Sequence, residues 1–248
     1  MSERRSELGG EQVEGRRAVA ELLDAGRRRV RAVFVSSGVS SEPGVARIAE
    51  LAGGALKIVP PDRIEHLARS DVHQGVIAQA APLQPADLDS LLENERPFLV
   101  ALDGVTDPRN LGAIMRSAET AGATGLVVPR HRSARVTPVV TKAAAGAIEH
   151  LPIALVGGIP NALERAARAG CWSVGLDEGG DLSLFDLDLA DQGIVIVLGA
   201  EGRGLGRLTR ERCDVLVRIP MHGHVASLNV SAAAALACYE VARRREVG

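Results

Sequence analysis

Three segments of the 248-residue chain carry residue types and spacings that packing alone does not explain. The first, DGVTDPRNLGAIMR (103–116), leaves an apolar run, turns through Gly104 and Pro108, and enters a helical pattern bearing Asn110 and Arg116. Asp103, Thr106, Asp107 and Asn110 then stand at a strand's carboxyl end, where open α/β sheets bind ligands. Asn110 and Arg116 are under two helical turns apart, so they share a wall only roughly. An ordinary helix cap at Asp107 or Asn110 would also account for part of the pattern.

The second segment, LGAEGRGLG (198–206), follows the most apolar run in the chain. A glycine loop before a helix invites a phosphate or dinucleotide reading. Three features speak against it. The glycines fall at Gly199, Gly202, Gly204 and Gly206 instead of GxGxxG; Ile219, Pro220 and Met221 occupy the place of the ribose-binding acid; and the stretch beyond Gly206 is too short for a nucleotide-binding half. Glu201 would repel a phosphate and suits a cationic ligand. The third segment, IPMHGHVASLNVS (219–231), runs into an alanine-rich helix that Ser227 or Asn229 can cap. His222 and His224 lack a third ligand, so no metal is expected. No Ser-His-Asp or P-loop pattern appears.

These segments need a scaffold, and the hydrophobic pattern supplies one. Strands are expected at 30–35, 56–59 and 75–79, with helices at 16–26, 45–52 and 62–69, a compact α/β unit spanning 15–80. Residues 81–96, with two prolines and a polar run, read as a linker, and residues 1–14 as a frayed tail. The alternation then restarts over 97–248. Strands are expected at 97–102, 125–128, 151–155, 172–176, 194–198 and 215–219, and helices at 109–122, 137–147, 160–169, 205–212 and 227–245. Fully apolar strands such as IVIVL (194–198) indicate a parallel sheet covered on both faces.

Composition narrows the partners. Aromatic residues make up 2% of the chain, too few for a base-stacking platform of the RRM kind. The formal net charge is −2, so any contact with a polyanion must come from local patches. Lys57 and Lys142 are the only lysines among 29 basic residues. The arginines cluster at 16–31 and again at 109–142, whereas 177–191 holds acids and no base. Cys171, Cys213 and Cys238 form no CxxC, and no apolar run approaches the length of a membrane span, so a reducing cytoplasm is expected.

Taken in order, NLGAIMR (110–116), LGAEGRGL (198–205) and IPMHGHVASLNVS (219–231) resemble the three motifs of the SpoU/TrmH family of RNA 2′-O-ribose methyltransferases, within the SPOUT superfamily. The match spans about 97–245, and residues 15–80 resemble the L30e-like substrate-binding domain often found ahead of it. DGVTDPRNLGAIMRSA and SLNVSAA look most like the bacterial branch acting on a guanosine of 23S rRNA.

The resemblance implies S-adenosylmethionine as cofactor, a deep trefoil knot at the carboxyl end, and a homodimer. The knot follows from the resemblance alone, against the general rule that chains do not thread. By position, Gly199, Ile219 and Leu228 resemble the residues whose backbone holds the cofactor, with Leu198, Met221 and Ser227 lining the same pocket. Asn110, Arg116, Glu201 and Asn229 resemble the catalytic set. The family scheme makes Arg116 the base, yet a charged guanidinium has no acceptor lone pair. Either RNA phosphate changes its state, or Arg116 stabilises the alkoxide while another group, Glu201 being nearest, takes the proton. RNA phosphates are expected at Arg16, Arg17, Arg27, Arg28, Arg29 and Arg31, and at Arg109 and Arg132. The alternatives are the same chemistry on tRNA or another rRNA site, a non-catalytic assembly factor, and a nicotinamide-dependent oxidoreductase.

Overall fold

A computed structural model describes residues 8–70, 73–131, 135–188, 192–225 and 227–247. The chain forms two compact units, Met1–Gln84 with Arg135–His150, and Pro85–Ala134 with Leu151–Gly248.

The first unit is built on a four-stranded sheet of β1 (Gln12–Glu14), β2 (Val30–Ser36), β3 (Leu56–Val59) and β4 (Val76–Ala80), in the order β1-β4-β2-β3. Strands β2 and β3 run parallel, while β1 and β2 pair antiparallel to β4. One face buries Val13, Val33, Val35, Val76 and Ala78 beneath α1 (Arg16–Ala25) and α2 (Pro43–Ala52), through Val19, Leu22, Val45 and Ile48. A third helix, α3 (Pro61–Leu67), packs against β2 and β4.

One expectation is corrected in this unit. The amino-terminal stretch is not a frayed tail over its described part: Leu8 is buried, Gly9 bridges Val136, and residues 12–14 form β1. Glu14, a charge suggestive of an exposed stretch, is fully buried and satisfied by Gln12 Nε2 (2.6 Å), the Arg69 amide (2.7 Å) and Ser70 Oγ (2.5 Å). Residues 135–150, expected with the stretch after 97, pack with this unit, the helix over Pro138–Ala144 (α6) lying on β1 and α1. Arg28 and Glu149 fasten this segment through a two-pronged ion pair in which the side chains are only 6% and 1% exposed. Arg28 Nη1 donates as well to the carbonyls of Gly10 (2.8 Å) and Ala81 (2.9 Å).

Among the described residues, the second unit holds seven parallel strands: β5 (Phe98–Asp103), β6 (Gly125–Pro129), β7 (Ile153–Val156), β8 (Cys171–Leu176), β9 (Leu182–Ser183), β10 (Gly193–Gly199) and β11 (Val215–Arg218), in the order β7-β6-β5-β10-β8-β11-β9. The central pair is the most apolar, with Phe98 to Leu102 and Ile194 to Leu198 all buried. On one face, α4 (Leu88–Leu92) and α7 (Ile159–Arg168) cover Leu99, Ala101, Val195 and Val197. α5 (Pro108–Thr120) and α9 (Val230–Val247) pack on each other, α5 also meeting β6 and α9 meeting β10. The remaining helix, α8 (Arg207–Arg212), packs on α7.

The segment read as a linker is partly structural. α4 lies inside 81–96, capped by Asp87 accepting from the Ser90 amide, with Leu88, Leu91 and Leu92 buried. Two prolines and several acids masked an apolar face only three residues wide. No helix of the described residues is long and apolar enough to cross a membrane.

Candidate active site

Sheet order and register fix where the three segments meet. The chain goes from β5 to β6 on one side, while β10 lies on the other side of β5, beside β8. Such a reversal leaves a crevice at the carboxyl ends of the strands. The parallel register sets Leu102 beside Leu198 and Asp103 beside Gly199, so the loops after β5 and β10 leave the sheet side by side. Asp103 Oδ2 accepts from the Gly206 amide (2.8 Å), tying the far end of the glycine loop to the end of β5.

Asp107 caps α5 by accepting from the Arg109 (2.6 Å) and Asn110 (3.3 Å) amides. That leaves the Asn110 side chain for another task. Its Nδ2 donates to Glu201 Oε1 at 2.9 Å, and Asn229 Nδ2 donates to the same oxygen at 2.7 Å. Asn229 Nδ2 also lies 3.1 Å from Asn110 Oδ1. The Asn229 Oδ1 accepts from the Ser231 amide (2.8 Å) and hydroxyl (2.6 Å), capping α9. Because the cap occupies Oδ1, the amide group must turn its N–H bonds towards Glu201. Both bonds to Glu201 fall on Oε1, and Oε2 makes no hydrogen bond among the described residues.

Beside this trio opens a cleft of about 980 Å³, bounded by the turn after β8, the glycine loop and the segment from β11 to α9. Leu198, Gly199, Ile219, Met221, Ser227 and Leu228 all line it, as do Glu201 and Asn229. A side-chain carbon on Gly199 would stand 2.2 Å from the carbonyl carbon of Gly204, so the cleft is bare backbone beneath the loop. Leu176, Val217, Asp177 and Glu178 line it too and were not anticipated. The acid-rich stretch after 176 was visible in the sequence, but nothing there tied it to this cleft.

Arg116 is not brought to the trio. Six residues along a helix amount to about 240° of rotation and about 9 Å of rise, so Asn110 and Arg116 face different ways. Arg116 is exposed, lies outside the lining of the cleft, and its guanidinium has no partner among the described residues.

The arginines expected on RNA divide into two sets. Arg28 is committed to Glu149 and two carbonyls, which removes it as a phosphate ligand. Arg16 pairs with Glu42 and donates to the Gln74 carbonyl (3.2 Å), holding that carboxyl below its usual range. Arg27 donates to the His150 carbonyl at 3.1 Å. Arg17, Arg29, Arg31 and Arg109 are exposed. Arg132 lies outside the described residues.

Comparison with known proteins bears on this arrangement. The model of the SpoU rRNA Methylase family matches residues 97–239, and that of the RNA 2′-O ribose methyltransferase substrate binding domain matches 12–86. The 23S rRNA (guanosine-2′-O-)-methyltransferase RlmB of Pseudomonas putida is 41% identical over 246 residues, covering 96% of this chain and 98% of the relative. Its counterpart in Pseudomonas aeruginosa is 42% identical over 242 residues, covering 95% and 97%. Among solved structures, the SpoU methyltransferase AviRb from Streptomyces viridochromogenes, in complex with AdoMet, aligns with a TM-score of 0.80 at 29% identity, over 96% of this chain and 91% of that one.

Proposed function

The chain belongs to the SpoU rRNA methylase family, and from that premise we propose that it transfers a methyl group from S-adenosylmethionine to the ribose 2′-hydroxyl of a guanosine in 23S rRNA. The observation that carries the reading is the convergence of Asn110 and Asn229 on one oxygen of Glu201 at the edge of the cleft.

The cleft suits the cofactor. Leu176, Leu198, Val217 and Ile219 offer apolar surface for a ring, while Asp177, Glu178 and Glu201 make a wall favourable to a cation. The exposed backbone at 199–204 and 219–221 offers donors and acceptors for the remaining polar atoms. When bound there, S-adenosylmethionine supplies an electrophilic methyl group on a positively charged sulfur. What the chain must add is chiefly alignment.

Glu201 is fixed by two amide N–H bonds to Oε1, which leaves Oε2 as the open acceptor for the ribose hydroxyl proton. In this scheme Glu201 takes the proton, and Arg116 stabilises the oxygen as negative charge grows on it. Since Arg116 does not face the trio of its own chain, a second copy must deliver it, and the protein works as a homodimer. Exposed Leu236 and Tyr239 on α9 are suited to such an interface.

The same reading extends to threading and substrate. The turn after β8 approaches β11 so closely that a side-chain carbon on Gly180 would stand 2.7 Å from the Val217 carbonyl carbon. Arg218 Nη1 fastens that turn by donating to the carbonyls of Gly180 and Asp181, both at 2.7 Å. The tight seating of this turn on the end of β11, which leads on to α9, suits a knotted carboxyl end. The first unit, of L30e type, would hold the RNA through Arg17, Arg29 and Arg31; Arg109 and Arg132 are separate candidates for phosphate. An rRNA substrate places the work in the cytoplasm.

The test is incubation with methyl-labelled S-adenosylmethionine and separate pools of unmodified 23S rRNA and tRNA. Label recovered as 2′-O-methylguanosine from the rRNA pool is expected. Label confined to tRNA would overturn the substrate assignment. Stabilisation by NAD and not by S-adenosylhomocysteine in a thermal-shift comparison would overturn the reaction class.

A further inference from the structure

The loop after β10 carries a second charged side chain that the reaction described above does not use. Ala200 and Gly204 exchange backbone hydrogen bonds of 3.0 and 2.8 Å, closing residues 200–204 into a tight hairpin. Gly202 and Gly204 adopt φ of 72° and 66°, a left-handed conformation that side chains rarely take, although open space surrounds both. These glycines are therefore required by backbone conformation and not by crowding. Together with the bond between Asp103 and the Gly206 amide, they fix the path of the chain through Arg203.

The two charged residues at the tip have separate destinations. Glu201 meets the two asparagines, whereas an Arg203 terminal nitrogen reaches the end of β5, 3.7 Å from where a side-chain carbon on Gly104 would stand. Among the described residues, two arginines line the cleft. Arg218 is spent on the carbonyls of Gly180 and Asp181. Arg203 is exposed and makes no hydrogen bond or ion pair among the described residues.

Chemistry says what such a guanidinium is for. A ribose 2′-hydroxyl sits on the carbon next to the one bearing the 3′-phosphodiester, so an RNA strand that presents the hydroxyl to Glu201 brings a phosphate with it. The acids Asp177 and Glu178 would repel that phosphate on their side of the cleft. Arg203, two residues from Glu201 on a rigid hairpin, offers a planar donor fork matched to phosphate oxygens. We propose that Arg203 is a substrate-binding residue that seats the 3′-phosphodiester of the target nucleotide and so aims its 2′-hydroxyl at Glu201. The proposal rests on the reading of this site as an RNA ribose methyltransferase.

The experiment compares wild type, Arg203→Ala and Arg203→Lys by filter binding to an unmodified 23S rRNA fragment over a range of salt, and by titration with S-adenosylhomocysteine. Arg203→Ala is expected to weaken RNA binding about ten-fold and to reduce the slope of log K against log salt by about 0.7 to 0.9, the value for one phosphate contact. Arg203→Lys should restore the slope and only part of the affinity, and S-adenosylhomocysteine should bind all three proteins alike. Unchanged RNA affinity and slope in Arg203→Ala would overturn the proposal. So would a loss of S-adenosylhomocysteine affinity, which would assign Arg203 to the cofactor's carboxylate. An Arg203-dependent RNA affinity in a wild-type protein that transfers no methyl group would uphold the phosphate site and overturn the functional reading instead.

Discussion

Asn229 performs two tasks with the two ends of one amide. Its Oδ1 caps α9, and its Nδ2 holds Glu201. A serine can cap a helix but cannot reach across with a second donor. Asn229→Ser should therefore keep near wild-type stability in urea and lose methyl transfer, while Asn229→Ala should lose transfer and about 1 kcal/mol of stability as well. Nothing in the sequence pattern distinguishes a cap from a ligand of Glu201, because an asparagine at a helix start serves either use. A second prediction concerns the thiols. Burial pushes Cys238 up to about 12, and burial followed by the carboxylates of Asp214, Asp103 and Asp177 does the same for Cys213. Burial also raises Cys171. A raised thiol pKa leaves little of the reactive thiolate at pH 8. Iodoacetamide at pH 8 should then leave the folded protein largely unmodified and label all three cysteines in urea, with intact mass as the readout.

At the scale of elements, the regular alternation was legible because βα units repeat two different hydrophobic periods. The apolar runs at 98–103 and 193–199 and the helix over 108–120 lie within one or two residues of their expected bounds. Short elements were not legible. β1 has three residues, two of them polar, and α4 has five, too few to display a period. The burial of α4 is the more consequential, since it turns a presumed linker into part of the sheet's cover. Replacing Leu88 or Leu91 by alanine should cost about 2–5 kcal/mol in urea denaturation, whereas a true linker would tolerate either change. The glycine loop shows the opposite case. Its spacing argued against a dinucleotide, yet only the observed hairpin reveals that Gly199 is bare because Gly204 lies against it.

For the molecule as a whole, the chain divides discontinuously, and residues 135–150 return to the first unit. No periodicity marks such a return. Its signature is the burial of Arg28 and Glu149, charges that read as solvated until their partners are seen. A net charge of −2 likewise gives no hint of RNA, since the arginines proposed to meet it form only local clusters. Arg116 provides the main prediction at this scale. Arg116→Ala and Glu201→Ala proteins, each inactive alone, should regain part of the wild-type activity when mixed under exchange conditions, since one of the two sites in a mixed dimer is intact. Absence of any recovery would place Arg116 in its own chain's site. The most direct test of the account compares wild type with Glu201→Ala and Asn110→Ala, using methyl-labelled S-adenosylmethionine on unmodified 23S rRNA. Labelled 2′-O-methylguanosine is expected from wild type and none from either variant, with S-adenosylhomocysteine still bound by all three. Wild-type label that persists undiminished in both variants would contradict it, as would wild-type protein that binds the cofactor and RNA yet labels no ribose.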